Sequence, residues 1–123
     1  MTFTHDLLER VSLAKKLISK DIRYHLTISD LSRQTGLNEF QLKRGFKELY
    51  GVGLYEYLLK ERMEKAAFLL TQTDKPIKEI AMLCGYRHMK NLQPPFKRTF
   101  KQTPGAYRRE QTNNSSLDLL TES

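Results

Sequence analysis

Leu7, Val11, Ala14 and Ile18 recur three and four residues apart, which places them on one face of a helix over about Asp6 to Lys20, with Thr4 as its cap. Thr27 opens the next element as an N-cap, and Asp30, three residues on, completes a weak capping box. That second helix runs to about Thr35, where Gly36 supplies the left-handed residue of a tight turn. Asn38 caps a third helix reaching about Tyr50, and Gly51 and Gly53 break the chain after it. Leu42 and Phe46 are expected in the core, with Leu49 near them. The longest pattern is LYEYLLKERMEKAAFLLT, about Leu54 to Thr71, with Tyr57, Leu58, Arg62, Ala66 and Leu70 on or near one face. At about 1.5 Å per residue it spans roughly 27 Å. Thr73-Asp74-Lys75 is a polar connector, Pro76 opens a fifth helix that Gly85 closes, a sixth follows, and a seventh covers about Pro104 to Arg109.

The pattern occurs twice. Residues 28–47 read ISDLSRQTGLNEFQLKRGFK, and residues 77–97 read IKEIAMLCGYRHMKNLQPPFK. Ile28, Asp30, Leu31, Gly36 and Leu37 match Ile77, Glu79, Ile80, Gly85 and Tyr86; after one inserted residue, Phe46, Tyr50 and Tyr57 match Phe96, Phe100 and Tyr107. Repetition at this period marks a duplicated supersecondary unit. A helix, a glycine turn, and a second helix ending in an aromatic and basic residues describe a helix-turn-helix, whose second helix enters a DNA major groove. The expected fold is all-α: two helix-turn-helix lobes, about 4–53 and about 74–110, joined by the long helix at about 54–72. Residues 111–123 are expected to be a polar, disordered tail.

Composition narrows the function classes. A hydrophobic fraction of 39% fits a modest core, and no apolar run is long enough to cross a bilayer. The start, MTFTHDLLERV, lacks the layout of a signal peptide. The one cysteine, Cys84, permits no internal disulfide and fits a reducing, cytoplasmic setting; it is expected to be small, half-buried and unreactive. The net charge of +7 is unevenly spread: from Arg87 to Arg109 there are seven Lys or Arg and no Asp or Glu. Such a one-signed stretch beside a recognition helix is the electrostatic footprint of a nucleic-acid binder. His5, His25 and His88 share no ligand spacing with Cys84 or a carboxylate cluster, so no metal site and no cofactor is expected. No nucleophile triad, phosphate loop or HExxH pattern points to an enzyme.

The outward faces of the two second helices supply the candidate chemistry. In the first, Arg44 and Lys43 can donate to guanine O6 and N7, Gln41 can pair with adenine, Phe40 can touch a thymine methyl, and Lys47 suits a phosphate. In the second, Met89, Lys90, Asn91 and Gln93 form the groove face, while Lys97, Arg98 and Lys101 meet phosphates. Pro94-Pro95 falls inside this helix. Neither residue can donate a helix hydrogen bond, and each disfavours helical geometry in the residue before it. The helix is therefore expected to be kinked, or split with a restart at Pro95-Phe96, leaving the first lobe dominant. The rival reading follows from the same residues: a helical protein-interaction module whose DNA binding is impaired by Pro94-Pro95.

GLNEFQLKRGFKELYG, YLLKERMEKAAFLL and IKEIAMLCGY…FKRTFKQTPGAYRR resemble the AraC/XylS DNA-binding domain from about Ile28 to Arg109. The resemblance implies a bacterial transcription regulator that sets two recognition helices in successive major-groove segments of double-stranded DNA. It implies base contacts at Phe40, Gln41, Lys43 and Arg44 and at Met89, Lys90, Asn91 and Gln93. Pro94 departs from it, standing where the family often has an arginine that faces the DNA. The resemblance further implies RNA polymerase as a partner for an activator. It also implies an effector-binding or dimerising domain outside this chain, which is expected to be the C-terminal domain of a longer protein.

Overall fold

The computed structural model describes residues 4–20 and 27–112, and among them every regular element is helical. The elements are α1 (His5–Lys20), α2 (Ile28–Thr35), α3 (Glu39–Tyr50), α4 (Leu54–Gln72), α5 (Ile77–Leu83) and α6 (Met89–Phe100). A seventh helix, α7, covers residues 104–112. It continues through Gln111 and Thr112, two residues into the stretch expected to be tail; the rest of that stretch, and His25, lie outside the described residues. The chain divides into two compact units between Glu61 and Arg62, inside α4.

The first unit is built on the predicted stripe. Leu7, Val11, Ala14 and Ile18 of α1 are buried against Ile28, Leu31, Leu37, Leu42, Phe46 and Leu54, with Tyr50, Tyr57 and Leu58 packed at the edge. Fully burying an aliphatic or aromatic side chain of this size contributes about 1.5–3 kcal/mol, so these side chains dominate the stability of a unit this small. Leu49 departs from expectation: seven residues from Leu42 and three from Phe46 it shares their stripe, yet it is 41% exposed, at the edge of the core.

The second unit repeats the arrangement with the later half of α4 in the role of α1. Met63, Ala66 and Leu70 keep the three-and-four spacing of Val11, Ala14 and Ile18, and they pack on Ile80, Ala81, Cys84, Leu92 and Phe96. Aromatic clusters recur with the units. The Phe46 ring lies 4.8 Å from Tyr50 and 5.5 Å from Tyr57, and the Phe96 ring lies 4.6 Å from Phe100 and 5.4 Å from Tyr107. The six repeated aromatics are packing residues, as their spacing predicts. Cys84 is more buried than expected, at 0% exposure, in the position that Thr35 fills in the first unit.

The sixth helix is not split at its prolines. Met89–Phe100 is one helix with Pro94 and Pro95 inside it. The two prolines remove only the donors aimed at the carbonyls of Lys90 and Asn91, and they are adjacent, so the disturbance is confined to one turn. Packing holds the turn in place: Leu92, Pro95 and Phe96 are buried together, and Phe96 is locked in the aromatic cluster. Apolar burial on both sides of the defect offsets the lost hydrogen bonds. A split α6 is thus removed from the support of the rival reading.

Candidate nucleic-acid interface

α3 begins with a complete capping box. Asn38 Oδ1 accepts from the Gln41 amide at 2.8 Å, and the Asn38 amide donates to Gln41 Oε1 at 3.1 Å. This satisfies two of the donors a helix start leaves open and fixes the chain's entry into α3. It also occupies the Gln41 carbonyl, leaving Nε2 as the side chain's remaining donor. α2 starts the same way: Asp30 Oδ2 accepts from the Thr27 amide at 3.2 Å, and Thr27 Oγ1 accepts from the Asp30 amide at 3.0 Å. The Thr27 backbone and side-chain hydrogen bonds, with Arg33 beside it, hold the Asp30 carboxyl below its ordinary range despite some desolvation.

The turn between α2 and α3 is set by Gly36 and Arg10. Gly36 has φ 74°, and its amide donates to the Ser32 carbonyl at 2.9 Å. Arg10 reaches across from α1, donating from Nη1 to the Thr35 carbonyl and from Nε to Asp6, each at 2.9 Å. A Cβ on Gly36 would lie 2.0 Å from Arg10 Nη1, so a side chain there would both strain the backbone and displace the arginine. In the second unit the turn after α5 is closed by Gly85, φ 97°, whose amide donates to Met82; the Tyr86 amide reaches Ala81 at 2.9 Å. Cys84 rather than Gly85 is the cap residue of α5, and Pro76 stands just before the helix as its N-cap. Arg108 bonds the carbonyls of Leu70 and Thr73 at 3.1 and 3.2 Å, tying α7 to the end of α4.

These supports leave two outward faces. On α3, Leu42, Gly45 and Phe46 are buried, and Phe40, Lys43, Arg44 and Lys47 are exposed, with Phe40 at 63%. Gln41 is half-buried by its cap. Arg44 Nε donates to Glu48 at 2.8 Å, and its guanidinium sits 6.0 Å from the Phe40 ring centre. Sequence reasoning missed Glu48, although its i,i+4 spacing from Arg44 announces the pair. On α6, Leu92, Pro95 and Phe96 are buried, and Met89, Lys90, Asn91, Gln93, Lys97 and Arg98 are exposed, as is Lys101 just beyond the helix. The N-cap, His88, makes no side-chain cap bond, unlike Asn38. Lys101 was read only as a phosphate ligand; it also ends α6 in the left-handed region at φ 64°, where the first unit uses Gly51 at φ 77°. Matching the two copies exposes that exchange.

The residues expected to contact DNA thus group on one exposed face of each unit's second helix. Among the described residues no cluster of three His, Cys, Asp or Glu could hold a metal ion, and no helix is long and apolar enough to cross a membrane.

A family model described as a helix-turn-helix domain matches residues 31–110. A probable transcriptional regulator of Photobacterium leiognathi, LumQ, is 28% identical over 111 residues, 87% of this chain and 44% of that protein. The C-terminal domain of AraT, a response regulator from Geobacillus stearothermophilus, superposes with a TM-score of 0.79 at 33% identity, covering 82% of this chain and 84% of that one. A Chromobacterium violaceum regulator, described by its AraC-type DNA-binding domain, superposes with a TM-score of 0.73 at 28% identity, covering 84% of this chain and 92% of that one. The chain spans less than half the length of LumQ and of the Staphylococcus aureus regulators it also matches. The duplicated helix-turn-helix, the two basic outward faces and these likenesses agree: the chain belongs to the AraC-type helix-turn-helix family of DNA-binding transcription regulators.

Proposed function

We propose that α3 and α6 are the groove-reading helices, carried by two lobes at about 4–53 and 74–110 that α4 joins. In this reading Phe40, Gln41, Lys43 and Arg44 meet base edges from α3, and Met89, Lys90, Asn91 and Gln93 do so from α6. Lys47, Lys97, Arg98 and Lys101 neutralise phosphates. The observation that carries it is the division of α3 and α6 into a buried apolar face and an outward face of long donors, repeated in both copies. No bond is made or broken, so the mechanism is placement. Phosphate contacts give salt-dependent affinity, and base contacts give discrimination. Arg44 must exchange Glu48 for its base. An exposed i,i+4 pair is worth only about 0.3–0.5 kcal/mol, against about 1–3 kcal/mol of discrimination from a bidentate guanine contact, so the exchange is favourable. Gln41, with its carbonyl held by Asn38, acts as a single donor rather than in a two-point adenine contact.

The relatives' extra length leaves room for an effector-binding or dimerising domain that would act with this module, and RNA polymerase is the second partner of an activator. The reducing cytoplasm suits the single buried thiol. The test is a pair of variants on cognate and scrambled duplexes. Arg44→Ala should lower the specificity ratio by roughly tenfold or more, whereas Lys97→Ala should weaken both duplexes alike. Equal losses of specificity ratio would show the roles to be wrongly divided.

A further inference from the structure

We propose that Pro94 is a specificity residue: its ring reads a thymine methyl in the helix register where the first unit presents Arg44. The inference rests on the groove-reading role of α3 and α6 and adds to it what the second unit discriminates.

The internal repeat sets the register. Leu42 and Phe46 of α3 correspond to Leu92 and Phe96 of α6, and all four are 0% exposed. Arg44, between the first pair, therefore corresponds to Pro94, between the second, and both residues are exposed. Phe40, one turn earlier, corresponds to Lys90, also exposed. On α3 the outermost i,i+4 pair is aromatic then cationic, with the guanidinium 6.0 Å from the ring. On α6 it is cationic then apolar. The two helices carry the same two chemistries in opposite order along their axes.

Continuity of α6 makes this matter. A broken helix would have carried Pro94 off the outer face; in the unbroken helix it sits between Lys90 and Lys97, one turn to either side. The ring has no donor or acceptor. Against the guanine, adenine or cytosine edge it would desolvate hydrogen-bonding groups without replacing their partners, which is costly. The C5-methyl of thymine is the one apolar group displayed in the major groove, so that base alone gains from the contact. The ring is also rigid, and its burial freezes no rotamers.

Duplexes that the chain selects from a random pool supply the substrate for the test, with each thymine then replaced in turn by deoxyuridine to delete one methyl. For the unmodified chain, at least one replacement should weaken binding about fourfold, the value of one buried methyl. Pro94→Ser should abolish that sensitivity while leaving any thymine touched by Phe40 unaffected. Pro94→Arg should reselect guanine at the same position. Selection of a specific site with no methyl-sensitive thymine overturns the proposal, as does a serine variant that keeps every methyl sensitivity of the parent chain. Failure to recover any preferred duplex overturns the groove-reading role, and this inference with it.

Discussion

Asn38 and Asp30 carry the caps that aim the first unit's two short helices. Truncating a side-chain N-cap costs about 1 kcal/mol, so Asn38→Ala should lower unfolding stability by that order in urea titration, and it should also release Gln41. Asp30 gives the caps a pH dependence of known sign. Its carboxyl is held below the ordinary range by the Thr27 bonds, so the folded state binds that proton less readily than the unfolded chain. The stabilisation is therefore complete above the ordinary carboxylate range and lost as pH falls through the lowered value. Thermal melts from about pH 6 down to about pH 3 should show a smaller loss for Asp30→Asn than for the parent chain; equal losses would assign the acid sensitivity elsewhere. The Thr27–Asp30 box and the Asn38 cap were legible in the sequence, because a cap is a local device with a fixed three-residue spacing; the reciprocal Gln41 bond was not, since a glutamine on an outward helix face reads equally well as a base contact. The Arg44–Glu48 pair was equally local and was overlooked only because Arg44 was assigned to DNA first.

At the scale of elements, α6 separates local preference from what packing enforces. Two prolines predict a kink or a split from residue chemistry alone, and the split does not occur because Leu92, Pro95 and Phe96 anchor the helix on both sides of the defect. No local rule contains that information, since the anchoring partners lie on α4 and α5. The defect should still carry an energetic cost. Pro94 is exposed, so Pro94→Ala gives up little burial and should stabilise the second unit by about 1–3 kcal/mol in urea titration. Pro95→Ala should gain less, because it also gives up a buried ring. Lys101 stores a second local cost. A non-glycine residue in the left-handed region is disfavoured by about 1–2 kcal/mol, and Gly51 shows the relaxed solution. Lys101→Gly should therefore raise the second unit's melting temperature while weakening duplex binding, if the lysine meets a phosphate. A variant with both properties raised would remove Lys101 from the interface.

For the whole molecule the decisive quantity is charge. The acid-free stretch from Arg87 to Arg109, together with Lys43, Arg44 and Lys47, gives enough cations to neutralise six or more phosphates. Affinity for a duplex should then fall by roughly 10³-fold or more between about 50 and about 200 mM salt; a flat profile would remove the electrostatic share of binding. The duplicated architecture was legible at this scale because the repeat preserves spacing as well as residue type. The part that escaped is α4, read as a linker between lobes. Its first turns close one core through Leu54, Tyr57 and Leu58, and its later turns begin the other through Met63, Ala66 and Leu70. One amphipathic stripe looks the same in sequence whether it serves one core or two.

Cys84 gives the second unit a reporter of its own opening. The thiol has 0% exposure, burial pushes its pKa up to about 11, and the chain has no other cysteine. While the unit is closed the sulfur is both shielded and protonated, hence silent toward an alkylating or disulfide reagent. Modification then proceeds only through openings that expose this core, and the first unit contributes no signal. Labelling rates followed with and without duplex would time how long DNA keeps one half of the molecule shut, with no residue changed and no dye attached beforehand.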